Sequence, residues 1–417
     1  MSAGTAAVAL DPGVVARVRD RLLAGPAVPT GLTGDRGLTE RVAAAARAEG
    51  LVLGAPGLLR LVDAVRAELT GCGRLQPLVE APGTTDVLVN GGGRVWVDDG
   101  GGLRAAATAL SGEEEVRELA VRLAATAGRR LDDASPWVDA RLPDGTRLHA
   151  VLPPLTPEGT HLSLRVPARR RWSLAQLEAA GSVPAAWGPL LRAVVAGRLS
   201  YLVSGGTGTG KTTLLQALLG EVGARERLVL VEDAGELRPE HPHVVRLEAR
   251  HGNVEGRGAV GLDVLVRQAL RMRPDRLVVG ECRGAEVLEL LAALNTGHAG
   301  SAGTLHANSA ADVVARVHAL AASAGAAAAA VDAQLLAGVD VVLHTGRAGG
   351  ARALLEVAVL EGVGTGPARG ARAVPALTRC PDGDGADAWR TGPGWPQLIA
   401  RLPAAVTGPL ADGRRRA

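Results

Sequence analysis

The chain has 417 residues, 47% of them apolar, with a formal net charge of only +3, no Phe and a single Tyr. This length allows two or three domains with substantial cores, and so small a net charge gives no argument for a nucleic-acid partner. The three cysteines are widely spaced without a metal or disulfide pattern, and neither a signal sequence nor an apolar run long enough to cross a bilayer is recognisable, so the sequence predicts a soluble, cytosolic protein.

The first part of the chain is predicted to be a helical or flexible extension, residues 1–55, followed by a mixed α+β domain, residues 56–168. Two short alternating strands of that domain, Asp86–Asn90 and Arg94–Asp98, are joined by three glycines, which indicates a β-hairpin. The segment Ser111–Glu114 fits an N-terminal capping box and predicts that a helix begins there.

Glycine and proline in residues 169–185 predict a linker. Beyond it, over residues 186–365, strand-like apolar runs alternate with helical patterns, which predicts a largely parallel sheet with ligands at the carboxyl ends of its strands. An Ala-rich helix is expected from Ser309 to Leu336 in this domain. Residues 366–417 are rich in Gly, Pro and Ala and predict a weakly ordered C-terminal tail.

The segment that begins at Gly205 fits the pattern G-x-x-x-x-G-K-[ST], between an apolar strand and a segment with helical spacing. Backbone N–H groups of such a loop surround nucleotide phosphates, and the hydroxyl of Thr212 would contact Mg²⁺. Lys211 is the only lysine among 46 basic residues. This indicates that position 211 requires a compact ammonium group that can reach between the β- and γ-phosphates. The sequence therefore predicts ATP and Mg²⁺ as cofactors. The residues assigned to the loop are Gly205, Gly206, Thr207, Gly208, Thr209, Gly210, Lys211, Thr212 and Thr213.

Three further motifs follow the loop in the chain. An acidic box, Val231–Leu237, carries Glu232 near its start. A strand-like run then ends in Gly280-Glu281. A segment that is unusually rich in His and Gly contains His298 and His306.

These four motifs, in this order, resemble the type II/IV secretion ATPases, and specifically the tight-adherence (Tad/Flp pilus, CpaF-like) branch that is often named conjugal-transfer-associated. The resemblance extends from about residue 58 to 362. It implies an α/β fold with a RecA-like P-loop ATPase domain after an α+β N-terminal domain. It also implies a Mg²⁺-dependent, homohexameric motor that works with platform proteins at the cytoplasmic membrane and drives pilus assembly or protein secretion.

The resemblance further implies roles for single residues. Many P-loop enzymes bind Mg²⁺ through an aspartate before the glutamate, but this chain has Gly280 there. We therefore expect Glu281 to serve the metal through its water ligands, the attacking water, or both, and assign it the role of general base or water-positioning residue, with Glu232 as the alternative base. His306 is expected to report the γ-phosphate, and His298 to contribute to nucleotide binding.

Arginines of the N-terminal domain are implied to reach the nucleotide and to add positive charge in the transition state. Arg141, Arg147 and Arg165 match the segments that carry these arginines.

Two other functions share the same loop. A P-loop phosphotransferase would not account for the His segment or for the preceding α+β domain. A nucleic-acid-translocating conjugation motor would show hydrolysis that is stimulated by DNA and weakened by salt. Zinc binding by the two histidines is not expected, because the ligand spacing of a zinc site is missing.

Overall fold

The structure is a computed structural model that describes residues 11–24, 35–167, 171–250, 257–364, 369–380 and 388–402. The chain divides into two units, Met1–Arg169 and Arg170–Ala417.

The first unit begins with three helices: α1 (Pro12–Ala24), α2 (Asp35–Ala48) and α3 (Ala55–Thr70). They bury Val18, Val42, Leu61 and Val65 against one another. The described part of the predicted extension is thus helical and contributes to a small core, while residues 1–10 and 25–34 lie outside the described part of the chain.

A six-stranded antiparallel sheet forms the rest of the first unit, in the order β3-β2-β1-β6-β5-β4. Its apolar residues alternate with polar ones, so that one face is buried with helix α5 against it. The mixed α+β fold and the hairpin between the first two strands are confirmed. The elements are β1 (Asp86–Asn90), β2 (Arg94–Asp98), β3 (Leu103–Ala109), β4 (Trp137–Arg141), β5 (Arg147–Val151), β6 (His161–Arg165), α4 (Gln76–Glu80) and α5 (Glu113–Thr126), with a 3₁₀ turn at Gly73–Leu75.

The predicted capping box at the start of α5 is wrong. The helix begins at Glu113 after Gly112, and no side chain caps it. Instead, Glu115 accepts a hydrogen bond from the backbone N–H of Ser111, and the Ser111 hydroxyl contacts Arg74. Three consecutive glutamates follow Gly112, so a glutamate is present near the helix start in more than one register. The capping-box pattern therefore did not decide at which residue the helix begins.

The second unit contains a nine-stranded sheet in the order β15-β14-β13-β12-β7-β11-β10-β8-β9. The six strands from β12 to β9 are parallel, and the three at the other edge are antiparallel, which confirms the predicted largely parallel sheet. The strands are β7 (Tyr201–Gly205), β8 (Leu228–Glu232), β9 (Val244–Glu248), β10 (Arg276–Cys282), β11 (Ala302–Leu305), β12 (Val341–Ala348), β13 (Ala351–Val363), β14 (Gly370–Arg379) and β15 (Trp389–Thr391).

Helices cover both faces of this sheet. Alternate residues of each central strand enter opposite cores, as Leu202 and Val203 of β7 do, so the parallel strands read as continuous apolar runs. The helices are α6 (Leu174–Ala179), α7 (Gly188–Ala196), α8 (Lys211–Gly220), α9 (Leu262–Ala269), α10 (Glu286–Leu294), α11 (Val313–Ala322), α12 (Ala328–Gly338) and α13 (Trp395–Arg401), with 3₁₀ turns at Ala185–Trp187 and Leu270–Met272.

The linker prediction for residues 169–185 is wrong for its described part, which begins at residue 171. Ser173 and Gln176 form a true capping box that opens α6. Leu174 and Leu177 of this helix are buried in the core of the second unit. The few apolar residues of the segment are spaced for burial, and this outweighs its loop-like composition.

The prediction of a weakly ordered tail is also wrong where the structure describes residues 366–417. Strand β14 pairs with β13 along most of its length, and Leu398 of α13 is fully buried. The buried residues of β14 are mostly small, Ala373, Val374, Ala376 and Leu377, and Pro375 interrupts them, so the strand gave only a weak signal in a segment rich in Gly, Pro and Ala. Residues 366–368, 381–387 and 403–417 lie outside the described ranges.

The single Ala-rich helix expected from Ser309 to Leu336 is two helices, α11 and α12. The chain turns between them at Gly325, which has a φ of +75°. Alanine favours helix on both sides, so propensity alone does not locate the break.

Candidate functional site

The carboxyl ends of the parallel strands bring the predicted motifs to one edge of the sheet. Strand β7 ends at Gly205, and α8 begins at Lys211, so the predicted phosphate loop connects a strand to a helix N-terminus. Gly208 and Gly210 have φ values of +70° and +97°. Side chains disfavour this conformation, and with glycine the backbone N–H groups can line a concave turn. The loop therefore has the form of an anion cradle.

The ammonium group of Lys211 is the centre of this loop. The residue is only 7% exposed, and its Nζ donates hydrogen bonds to the carbonyls of Gly205 at 3.1 Å and Gly206 at 2.8 Å. Nδ1 of His306 lies 3.4 Å from the same nitrogen. Burial lowers the pKa of Lys211, whereas the negative charge of Glu281 acts in the opposite direction and raises it. The small buried space suits an ammonium better than a guanidinium.

His306, Glu281 and Arg283 extend this contact away from the loop. Nε2 of His306 lies 2.7 Å from Oε1 of Glu281, and the guanidinium of Arg283 lies 2.6 Å from Oε2. Burial, followed by the charge of Lys211, lowers the pKa of His306. The imidazole is therefore neutral at pH 7, with Nδ1 facing a donor and Nε2 facing a carboxylate. The imidazole ring of His306 thus connects Lys211 of the phosphate loop to Glu281, and a movement of Lys211 can reach Glu281 through this ring.

Glu232 lies at the end of β8 and is only 3% exposed. Its Oε1 accepts hydrogen bonds from the backbone N–H groups of Glu236 and Leu237, both at 2.9 Å. Its buried Oε2 has no hydrogen-bond partner in the part of the chain that the structure describes. Burial raises the pKa of this carboxyl to about 7, against the lowering effect of the two backbone hydrogen bonds.

Glu232 also explains why glycine occupies position 280. A Cβ atom on Gly280 would lie 2.7 Å from Cγ of Glu232, closer than two carbon atoms can approach. The carboxylate of the neighbouring strand therefore fills the space that an aspartate side chain would need.

Strand β12 contributes site residues that sequence reasoning missed. His344 is buried, and a hydrogen bond of 2.9 Å joins its Nδ1 to the hydroxyl of Ser204. The hydroxyl of Thr345 donates to the carbonyl of Ser204 at 3.1 Å and lies 2.9 Å from the hydroxyl of Thr209. These side chains fix the loop from a strand about 140 residues away. Their only signal was a polar pair that interrupts an apolar strand.

An open cleft of about 460 Å³ lies beside the loop. Of its lining residues, only Gly206 and His306 had been predicted to belong to the site. The others come from the segment after β11 and from the first turn of α11. The lining residues are Gly206, His306, Ala307, Asn308, Asp312, Ala315 and Arg316.

His298 is not brought to the loop. It precedes the N-terminal end of β11, whereas His306 follows the carboxyl end of the same strand. The two histidines therefore lie at opposite ends of β11. Buried Nδ1 of His298 has no hydrogen-bond partner within the described ranges. Thr212 and Thr213 lie in the first turn of α8, next to Lys211, and both are half-buried.

The three predicted arginines belong to the first unit, where the structure brings them together with one another. Arg141 pairs with Arg147 between β4 and β5, and Arg147 pairs with Arg165 between β5 and β6. Directly paired residues share a face of a sheet, so the three side chains form one row across neighbouring strands.

Comparisons with known proteins agree with these motifs. Residues 68–344 match the family model described as "Type II/IV secretion system protein". The chain is 55% identical over 317 residues to a protein described as a candidate conjugal transfer protein of Mycobacterium tuberculosis strain H37Rv, over 74% of this chain and 90% of the relative. It is 35% identical over 259 residues to the type IV secretion system protein PtlH of Bordetella pertussis, over 57% and 76% of the two chains.

Among solved structures, the chain is similar to the pilus retraction motor PilT with bound ADP. The TM-score is 0.51 at 21% identity, over 70% of this chain and 83% of that chain. At this identity, the likeness shows the fold alone. Among the described residues, no helix combines the length and apolar character that a membrane crossing needs.

We expect Gly280→Ala to destabilise the protein by about 1–3 kcal/mol, because its Cβ would overlap the side chain of Glu232. Urea unfolding would measure the loss. Gly223→Ala is the matched control, since its Cβ would meet nothing closer than 3.6 Å. The double variant Gly280→Ala/Glu232→Ala should recover much of the lost stability, and strictly additive losses would contradict the steric explanation.

Proposed function

The chain belongs to the type II/IV secretion system protein family, and we propose that it is the Mg²⁺-dependent ATPase motor of a Tad/Flp-type pilus or of a related secretion system. The observation that carries this proposal is the continuous set of contacts Lys211–His306–Glu281–Arg283 at the end of the phosphate loop. It joins a nucleotide cradle to a carboxylate through a histidine, which is what a motor that detects hydrolysis requires.

ATP fits the residues present. The left-handed glycines and the N-terminus of α8 form an anion cradle, and the buried ammonium of Lys211 lies beside it. The described residues contain no group of three or more His, Cys, Asp or Glu side chains that could hold a metal by themselves. We therefore assign Mg²⁺ to the hydroxyl of Thr212 together with nucleotide oxygens and waters, with Glu281 nearby. Bound there, Mg²⁺ supplies positive charge that stabilises the phosphates during transfer.

Glu232 is the better general base of the two glutamates. A base needs a free oxygen and a pKa near the working pH. Oε2 of Glu232 is without a partner among the described residues, and its pKa of about 7 is suitable. In Glu281, Oε2 is paired with Arg283 at 2.6 Å, and Oε1 lies 2.7 Å from Nε2 of His306 but, like Oε2 of Glu232, has no hydrogen-bond partner among the described residues, so the pKa is what favours Glu232. We therefore propose Glu232 before Glu281 as the base, the reverse of the order expected from the sequence, and assign Glu281 an organising role.

Positive charge for the transition state is assigned to the row Arg141, Arg147 and Arg165. Each of these guanidinium groups can donate two hydrogen bonds to phosphate oxygens, and the row brings three of them onto neighbouring strands. We propose that they act within a homohexameric ring at the cytoplasmic membrane, in contact with platform proteins, and that ring assembly completes the site.

A nucleic-acid-translocating conjugation motor is the second candidate, because the relative from Mycobacterium tuberculosis is described in terms of conjugal transfer. Stimulation of hydrolysis by duplex DNA, with a steep loss on adding salt, would favour it over a pilus or protein-secretion motor.

Nucleotide binding can be tested at a single side chain, because Lys211 is the only lysine of the chain. We expect ATP at about ten times its Kd to slow acetylation of Lys211 roughly tenfold, since only the free fraction reacts. Peptide mass spectrometry would measure the rate, with the α-amino group of the same chain as an internal control. Equal acetylation with and without ATP would exclude the loop as the binding site.

Ring formation should raise turnover for each chain by about tenfold or more, because arginine contacts of this kind strongly accelerate phosphoryl transfer. Hydrolysis would be measured against protein concentration, together with mass in solution. Lys211→Ala gives the background rate. Arg147→Ala should assemble normally and hydrolyse slowly. Full activity in the isolated monomer would rule out a ring-dependent site.

Glu232→Gln should lower turnover about 100-fold or more and abolish the rise in turnover with pH that we expect around pH 7. Glu240→Gln, an exposed residue just beyond the acidic box, is the matched control.

The pH dependence of the free energy of unfolding gives a second measurement. The folded-state pKa is raised from 4.5 to about 7, so the wild type should lose stability relative to Glu232→Gln as pH rises through this range, and the difference should level off above it. If Glu281→Gln instead removes the pH dependence, the base is Glu281.

A further inference from the structure

Arg316 is a cation beside the phosphate loop that the proposed mechanism has not used. It lies in the first turn of α11 and is half-buried. Its Nε is buried and has no hydrogen-bond partner in the described part of the chain, and its guanidinium is in none of the ion pairs found there. A buried N–H without an acceptor is costly, so it indicates an acceptor that binds from outside the chain.

The cleft that Arg316 lines is next to Lys211. Gly206 and His306, which both contact the ammonium of Lys211, are also walls of this cleft. The charge of Arg316 contributes to the lowered pKa of His306, so the two side chains are close enough to interact. Arg316 therefore lines a cleft whose walls include two residues that contact the ammonium of Lys211.

The carboxylate in this wall, Asp312, forms no ion pair with Arg316 in the described part of the chain. Oδ2 of Asp312 accepts a hydrogen bond of 2.7 Å from the hydroxyl of Ser309, and the same hydroxyl accepts one from the backbone N–H of Asp312. Asp312 thus fixes the turn before α11. The lining carries one guanidinium and one carboxylate, and the ammonium of Lys211, which contacts the lining residues Gly206 and His306, adds a second positive charge beside the cleft.

We propose that Arg316 contacts the terminal phosphate of the nucleotide, from the same unit as the phosphate loop. This inference rests on the proposed ATPase function. The lysine of such a loop reaches the β- and γ-phosphates, so the cleft that borders Lys211 receives the terminal one. The planar, permanently charged guanidinium can donate two hydrogen bonds to phosphate oxygens, and these bonds strengthen as negative charge shifts during transfer. Arg316 then distinguishes ATP from ADP without help from the first unit.

The test compares ATPγS and ADP affinity in the wild type, Arg316→Gln and Arg316→Lys. Arg316→Gln should weaken ATPγS binding about 10- to 100-fold, as expected for a lost hydrogen bond between charged groups, and should change ADP binding less than about twofold. ATP turnover should fall together with the affinity for ATPγS. Arg316→Lys should recover part of both, because it restores the charge without the second donor. Arg372→Gln, an exposed arginine of β14, is the matched control.

Each outcome decides a different point. Equal weakening of ATPγS and ADP, or a fall in thermal stability with unchanged relative affinity, would assign Arg316 a purely structural role and overturn the inference. If Arg316→Gln does not fold, the same comparison on Arg316→Lys decides. A wild type that prefers ATPγS, with the preference intact in Arg316→Gln, sinks only this inference. A wild type that binds neither nucleotide sinks the proposed function as well.

Discussion

The buried ammonium of Lys211 is the interaction on which the site depends. It holds two carbonyls of its own loop and faces His306, so one charge connects the end of β7 to the end of β11. A buried cation must be satisfied by acceptors, and here the acceptors are backbone oxygens and a neutral imidazole. The same ammonium therefore contacts both the phosphate loop and the histidine that the sequence predicted to report the γ-phosphate.

The two glutamates are distinguished by their surroundings and not by their identity. Glu281 lies between the side chains of His306 and Arg283, while Glu232 is buried and accepts hydrogen bonds from two backbone N–H groups. Glycine at position 280 belongs to the same arrangement, because only its missing side chain leaves room for Glu232. An aspartate at that position and a buried glutamate on the next strand exclude each other. Glu232 of the acidic box and the glycine that stands in place of an aspartate at position 280 are thus linked, because the side chain of Glu232 needs the space that Gly280 leaves open.

The sequence was least informative where composition was most biased. Alanine and glycine are so abundant that the break between α11 and α12, the strand β14 and the helix α6 gave weak local signals. In α6 and β14 the burial of a few larger side chains, such as Leu174 and Leu377, decided the structure, whereas the break between α11 and α12 lies at Gly325 with its positive φ. The same bias made Lys211 informative, because the only lysine of the chain lies at the lysine position of the phosphate-loop pattern.

By itself, the sequence determined the phosphate loop, the order of the motifs, the parallel sheet and the residues Lys211, Glu232, Glu281 and His306, because spacing along the chain and position at strand ends are local properties. Only the tertiary structure decided which of them meet. It placed His298 at the opposite end of β11 from His306, aligned three arginines in one row and brought His344, Thr345 and Arg316 beside the loop. Contacts between segments more than 100 residues apart follow from strand order, and strand order leaves no mark on the local pattern.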